Sequence, residues 1–216
     1  MTWLRPLLIT AFLRPWVRLV TGADVVGRER LPTAGPAIVA ANHNSHLDTL
    51  LLLTLFDPKA LARVRPVAAA DYFLTHPALS WASRQLIGIV PVDRTAAGVG
   101  ADVLGPAREA LNHGDILIIF PEGTRGQAGE DLAPLRTGVA RLAEACPDAP
   151  VTPVWIQGAG RVLPKGAHLP VPLTCCVLVG APLVWAGDRS GFMTALRAAL
   201  EGLRAQAPPL RWRDTD

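Results

Sequence analysis

AIVAANHNSHLDTLLLL, residues 37–53, sets a polar knot of Asn42, His43, Asn44, Ser45, His46 and Asp48 between two apolar runs. The first run, 37–41, reads as a buried strand, because a half-exposed strand would alternate apolar and polar residues. The second predicts a helix over 48–56 that stops before Pro58. The knot therefore falls at a strand-to-helix junction, where two kinds of chemistry fit it. Ser45-His46-Leu47-Asp48 matches a capping box, in which Asp48 only satisfies backbone donors. Alternatively, a carboxylate in the first helical turn reaches back to the His43 ring, orients it and stabilises the charge formed when it takes a proton. His46 is only two residues from Asp48 and is expected to pack or bond locally.

Outward from this junction, the chain alternates strand and helix signals. Strands are predicted at 65–70, 88–92, 115–120, 151–158 and 173–180, and helices at 77–86, 98–112, 134–146 and 190–206. Such alternation implies an α/β fold, a mostly parallel central sheet flanked by helices. Ligands of such sheets collect past the carboxyl ends of the strands. NHNSHLD lies past one strand, VDR (92–94) past another and PEGTR (121–125) past a third. Pro153, inside the strand at 151–158, predicts an edge or a bulge.

The N-terminal stretch 3–20, WLRPLLITAFLRPWVRLV, is apolar with Arg5, Arg14 and Arg18 spaced through it and Trp3 and Trp16 near its ends. Pro15 should kink or divide the helix. The pattern predicts an amphipathic segment over 1–22 lying on a membrane surface, its arginines and tryptophans at the headgroups. A helix packed on the core is the alternative. The main domain then covers 23–208 and a tail 209–216.

Composition narrows the choice of partners. Of 216 residues, half are hydrophobic and only 18% charged, and mean hydropathy is +0.29, so part of the surface should be apolar. A net charge of +3 and a pI of about 9.1 are too mild for a nucleic-acid binder, which needs a dense basic stripe. They suit an anionic surface or substrate. Nearly all the positive charge is arginine, with lysine only at 59 and 165, and arginine is the better fork for phosphate. The three cysteines, two of them adjacent, read as reduced core residues of a cytosolic compartment. No run of about 18 apolar residues marks a membrane span.

Two further constellations carry chemistry. In IIFPEGTRG (118–126) a buried strand delivers Glu122, Gly123, Thr124 and Arg125. Gly123 permits close approach or positive φ, Arg125 can grip an anionic oxygen pair, and Glu122 can accept from hydroxyls or hold arginines. In GIVPVDR (88–94) Asp93 and Arg94 follow a short strand. Each has a plainer reading as a local ion pair.

NHNSHLD, GIVPVDR, FPEGTR and VTPVWI (151–156), in that order over about 23–185, resemble the glycerolipid acyltransferase family, typified by bacterial 1-acylglycerol-3-phosphate acyltransferases. The resemblance implies transfer of a fatty acyl group from acyl-CoA or acyl-carrier protein to a lysolipid hydroxyl, with no cofactor and no metal. It implies His43 as general base and Asp48 as its orienting partner. It places Arg94, Glu122, Gly123, Thr124, Arg125 and Arg136 around the acceptor, the arginines meeting phosphate. It also implies a place on the cytoplasmic side of the membrane, peripheral or monotopic. Many relatives carry lysines after the second strand, where this chain has AAADYF (68–73). The expected acceptor is 1-acyl-sn-glycerol 3-phosphate, with another lysophospholipid or an acylated amino acid as alternatives. Two rivals remain: a metal hydrolase built on His43, His46 and Asp48, and a lipid-binding relative without turnover.

Overall fold

A computed structural model describes residues 4–69, 87–92, 102–124, 131–163 and 169–209. The chain begins with helix α1 (Leu4–Leu8), a π-helical turn (Ile9–Leu13) and α2 (Arg14–Thr21). Strand β1 (Asp24–Val26) and a 3-10 turn (Arg28–Arg30) follow, then β2 (Ala37–Ala41), α3 (Leu47–Leu55), α4 (Pro58–Leu61), β3 (Val64–Ala69) and β4 (Val90–Val92). The second half runs α5 (Gly105–Asn112), β5 (Ile116–Ile119), α6 (Gly138–Ala145), β6 (Val151–Gln157), α7 (Ala159–Val162), β7 (Cys176–Val179) and α8 (Arg189–Gln206).

The seven strands form one sheet in the order β1-β7-β6-β2-β5-β3-β4. Every neighbouring pair is parallel except β6 with β7. β2 is central, and all five of its residues are buried. Ala37, Val39 and Ala41 pack in one core with residues of α2, α3, α4 and α7. Ile38 and Ala40 pack in the other, with residues of α5, α6 and α8. Both faces of the strand are thus covered by helices, which is why its sequence is continuously apolar.

Several expected boundaries move for physical reasons. The helix expected at 134–146 starts only at Gly138. Ala133 precedes a proline and is biased towards extended backbone. Its N–H and that of Arg136 are taken by Glu122 and the Pro121 carbonyl. The helix expected at 98–112 is seen as α5 from Gly105, with Pro106 in the first turn, where no N–H is needed; 98–101, like the helix expected at 77–86, lies outside the described residues. Strand 173–180 shortens to 176–179, since the Cys175 N–H turns to Thr21 O.

Of the two alternatives at Pro153, an edge or a bulge, only the edge fails, and the register with β7 shifts by one residue across it. β6 is paired on both sides. The Pro153 carbonyl accepts from Gly180 N, so its nitrogen faces β7 as well. There the antiparallel ladder breaks between the Val154–Val179 pair and the isolated Val151–Leu183 bridge. The missing donor falls in the gap.

The N-terminal segment also departs from expectation. Pro15 does not divide it: the backbone stays helical from Leu4 to Thr21, with a π-helical turn just before Pro15, which lies in the first turn of α2. Gly22, at φ +46°, ends α2. Arg5 and Arg14, however, point inward rather than to headgroups. Arg5 is 6% exposed and donates to the carbonyls of Leu61, Val64 and Ile87 at 2.6–2.7 Å. Burial, with Arg65 nearby, pulls its pKa down to about 10, so it stays charged at neutral pH. Arg14 donates to Thr54 O and Phe56 O, and Arg28 to Leu55 O, capping the carboxyl end of α3. Cations suit the orphan carbonyls of a helix end. Only Arg18 of the three is exposed. The outward face of the segment is instead apolar, carrying Leu4, Leu7, Phe12, Trp16 and Leu19, with Phe12 at 70% and Leu19 at 81% exposure.

Candidate active site

β2 and β5 are adjacent and in register at Ala40 and Ile119, so the turns that leave their carboxyl ends lie side by side. The turn after β2 carries the polar knot; the turn after β5 carries Phe120, Pro121, Glu122, Gly123 and Thr124. Asn42 fixes the first turn to β6 on the other side. Its side chain donates to Ile156 O at 2.8 Å and accepts from Ile156 N at 2.7 Å. Ser45 Oγ donates to Leu163 O at 2.9 Å, tying the same turn to the end of α7.

Within this frame His43 Nδ1 lies 3.0 Å from Asp48 Oδ2. The same oxygen accepts from Asn44 N at 2.7 Å and Ser45 N at 2.8 Å. The two readings of the knot are therefore not exclusive, since one oxygen caps the turn and orients the ring. Asp48 is fully buried, and its Oδ1 has no hydrogen-bond partner among the described residues. A bare buried acceptor costs about 1–3 kcal/mol, a cost carried at the residue that orients the ring. With Nδ1 committed to Asp48, Nε2 is the nitrogen able to take a proton from a ligand. The ring stacks on Phe120 with centroids 4.1 Å apart and planes 20° from parallel. Its side chain is 18% exposed, enough to be reached. His46 is exposed at the N-cap of α3.

Glu122 is placed differently from expectation. It is buried, and both carboxylate oxygens accept from backbone, Oε1 from His43 N at 2.7 Å and Oε2 from Ala133 N at 3.1 Å. Burial raises its pKa above the ordinary range, and the His43 and Ala133 N–H groups and the His43 charge partly oppose that shift; the Asp48 charge adds to it. Gly123 has φ +75°, and the Arg136 side chain lies over it. A Cβ there would sit 2.5 Å from Arg136 Nε. Both functions suggested for this glycine, positive φ and close approach, thus apply at once. Thr124 and Arg136 are exposed. Arg94 and Arg125 lie outside the described residues, as do Asp71 and Tyr72.

The structure thus brings together His43, Asp48, Glu122, Gly123 and Arg136. Sequence reasoning assigned no part to Asn42, Phe120 or Ala133. Asn42 left a trace, as a polar residue ending a buried strand; Phe120 and Ala133 left none without the strand order. Among the described residues no three His, Cys, Asp or Glu side chains are grouped to hold a metal ion. The cysteines are unbridged, and burial pushes the Cys146 and Cys176 thiols up, away from the thiolate a nucleophile needs.

A family model described as "Acyltransferase" matches residues 22–157. Among curated proteins, the chain is 31% identical over 146 residues to a chloroplastic 1-acyl-sn-glycerol-3-phosphate acyltransferase, BAT2, of Brassica napus. That match covers 67% of this chain and 40% of the plant protein. The 1-acyl-sn-glycerol-3-phosphate acyltransferase of Pseudomonas aeruginosa is 28% identical over 174 residues, covering 79% of this chain and 63% of that protein. The chain therefore spans between about two fifths and two thirds of the length of these relatives. Among solved structures, the crystal structure of the 1-acyl-sn-glycerophosphate (LPA) acyltransferase PlsC from Thermotoga maritima superposes with a TM-score of 0.73 at 24% identity. It covers 96% of this chain and 81% of that one, and establishes the shared α/β fold.

Proposed function

The chain belongs to the acyltransferase family, and on that premise we propose that it moves a fatty acyl group from acyl-CoA or acyl-carrier protein to a lysolipid hydroxyl. The acceptor is 1-acyl-sn-glycerol 3-phosphate and the product phosphatidic acid. The observation that carries this reading is the 3.0 Å contact of His43 Nδ1 with a buried Asp48 at the carboxyl end of the central strand. The names of the relatives support the choice of acceptor.

An alcohol is a weak nucleophile until a base takes its proton. His43 Nε2 removes the proton as the hydroxyl oxygen attacks the thioester carbonyl carbon. Asp48 holds the opposite N–H and balances the imidazolium charge. The tetrahedral intermediate then collapses. The carbon–sulfur bond breaks, the imidazolium returns its proton to sulfur, and an ester and a free thiol leave. No enzyme atom bonds to the acyl group. Arg136, seated over Gly123 at the rim, meets the acceptor phosphate; Arg94 and Arg125 are assigned there with it.

The test is release of free thiol from acyl-CoA or acyl-carrier protein against a panel of lysolipids and acylated amino acids. Turnover is expected with 1-acyl-sn-glycerol 3-phosphate and not with an equivalent acceptor lacking phosphate. Thiol release with the acylated amino acid alone would replace this acceptor. Acyl-CoA bound without any thiol release would indicate the binding relative without turnover.

The acceptor is a membrane lipid, and the outward stripe of Leu4, Leu7, Phe12, Trp16 and Leu19 supports docking on a bilayer. Among the described residues no helix is long and apolar enough to cross a membrane. The place assigned to the protein, the cytoplasmic face in a peripheral or monotopic position, rests on the family resemblance and on this stripe. α7 packs on both α2 and α3, and Leu163 at its end holds Ser45. The stripe is thus one short helix away from the catalytic turn. Because Phe12 and Leu19 are largely exposed, the double variant Phe12→Asp, Leu19→Asp should fold. Burying two such side chains in lipid is worth about 3–5 kcal/mol, so co-sedimentation with phosphatidylcholine–phosphatidylglycerol vesicles should fall at least about tenfold. Unchanged sedimentation would remove the stripe from the interface.

A further inference from the structure

We propose that Glu122 is a positioning residue, a two-armed clip that sets the distance between the catalytic base and the arginine that receives the acceptor. This rests on the reading of His43 as base and Arg136 as phosphate ligand. The clip consists of one buried carboxylate that reaches two segments far apart in the chain. Oε1 holds the backbone N–H of His43, and Oε2 holds the N–H of Ala133, three residues before Arg136. The Arg136 N–H donates to Pro121 O at 2.8 Å, and its side chain lies over Gly123. The limb 131–137 is therefore folded back onto the turn after β5 by ties at both ends.

Three observations favour this role over a direct contact with substrate. Both oxygens are already engaged by strong directional donors. The side chain is buried, 4% exposed, so little of it faces a ligand. Finally, the bonds run to main chain, which a side-chain substitution on either partner would leave in place. A carboxylate is suited to the task, because only an ionised one offers an acceptor at each end. Glutamine has one acceptor oxygen and must turn an NH2 towards one of the two donors. One arm then opens, and the limb keeps its bonds to Pro121 O and Arg197 but loses the carboxylate that links it directly to the base. Rates fall steeply when reacting groups drift by an ångström.

The test compares amide hydrogen exchange and steady-state kinetics across single and double variants. In Glu122→Gln, exchange at the His43 or Ala133 amide should accelerate at least about tenfold, while circular dichroism remains that of the parent. The kcat/KM for 1-acyl-sn-glycerol 3-phosphate should fall at least tenfold. Adding Arg136→Gln to it should cost no more than about threefold further, because the arginine is already misplaced; alone, Arg136→Gln should cost more than that. Independent sites would instead multiply. Ala133→Pro removes the donor of one arm and leaves Glu122 intact, so it serves if the glutamine variant does not fold. It should keep the His43 amide protected and abolish the sensitivity to Arg136→Gln. Unchanged exchange at both amides, or multiplicative effects of the two substitutions, overturns the clip. Loss of the base reading is seen separately, as turnover that survives His43→Ala, and leaves the exchange result standing.

Discussion

Replacing His43 by alanine is expected to remove about 10³-fold of kcat, within the 10²–10⁴-fold that general-base help typically supplies, and to leave the fold intact. The backbone explains the second half. The His43 N–H that Glu122 accepts from is main chain and survives the substitution. Asp48 keeps its bonds from Asn44 N and Ser45 N, so the turn stays capped. What is lost is the ring, stacked on Phe120 and reached from outside. Without it the acceptor hydroxyl has no partner for its proton as it attacks. Binding of acyl-CoA should change little, because the ring acts on the acceptor side. Single-turnover thiol release with purified protein reads the effect. Activity within a few-fold of the parent would mean that another group takes the proton.

Asp48→Asn should cost about as much, by a different route. In Ser–His–Asp triads, where a carboxylate supports an imidazole in the same way, the amide exchange costs about 10⁴ in kcat. Here the geometry is more demanding still. Oδ2 serves three N–H donors, and Oδ1 is buried without a partner among the described residues. If the asparagine oxygen takes the place of Oδ2, its NH2 is buried where the bare oxygen was, with nothing to donate to. If it turns over, the NH2 faces three donors. In either orientation the negative charge that stabilises the imidazolium is gone. We expect kcat to fall about 10²–10⁴-fold, KM for the lysolipid to change little, and thermal stability to drop as well. A variant turning over within tenfold of the parent would reduce Asp48 to a cap.

The His43–Asp48 contact was legible in the sequence because it is local. Four residues lie between the two, spanning one turn and the start of a helix, and that short backbone path can bring ring and carboxylate together. The buried strand at 37–41 was legible for a related reason. A strand covered on both faces has no polar position, and AIVAA has none. The FPEGTR motif singles out Glu122 but not the amides it holds. Its partner His43 is 79 residues away, and nothing in FPEGTR says that the strand before it lies beside the strand before His43. Phe120 escaped notice on the same ground.

The N-terminal arginines show the limit of pattern reading most directly. Charges spaced through an apolar helix look the same whether they reach out to headgroups or in to carbonyls. An arginine is long enough for either. The alternation of apolar runs and punctuation by itself determined the α/β class, the buried strand at 37–41 and the residues gathered at its carboxyl end, because burial on two faces and local turn geometry are written in neighbouring residues. Only the tertiary structure decided that Arg5 and Arg14 turn inward, that Pro153 sits in an interior strand and that Glu122 holds two distant amides. Each of these depends on which carbonyls and N–H groups are left unpaired elsewhere, and that is settled only when segments far apart in the chain are packed against one another.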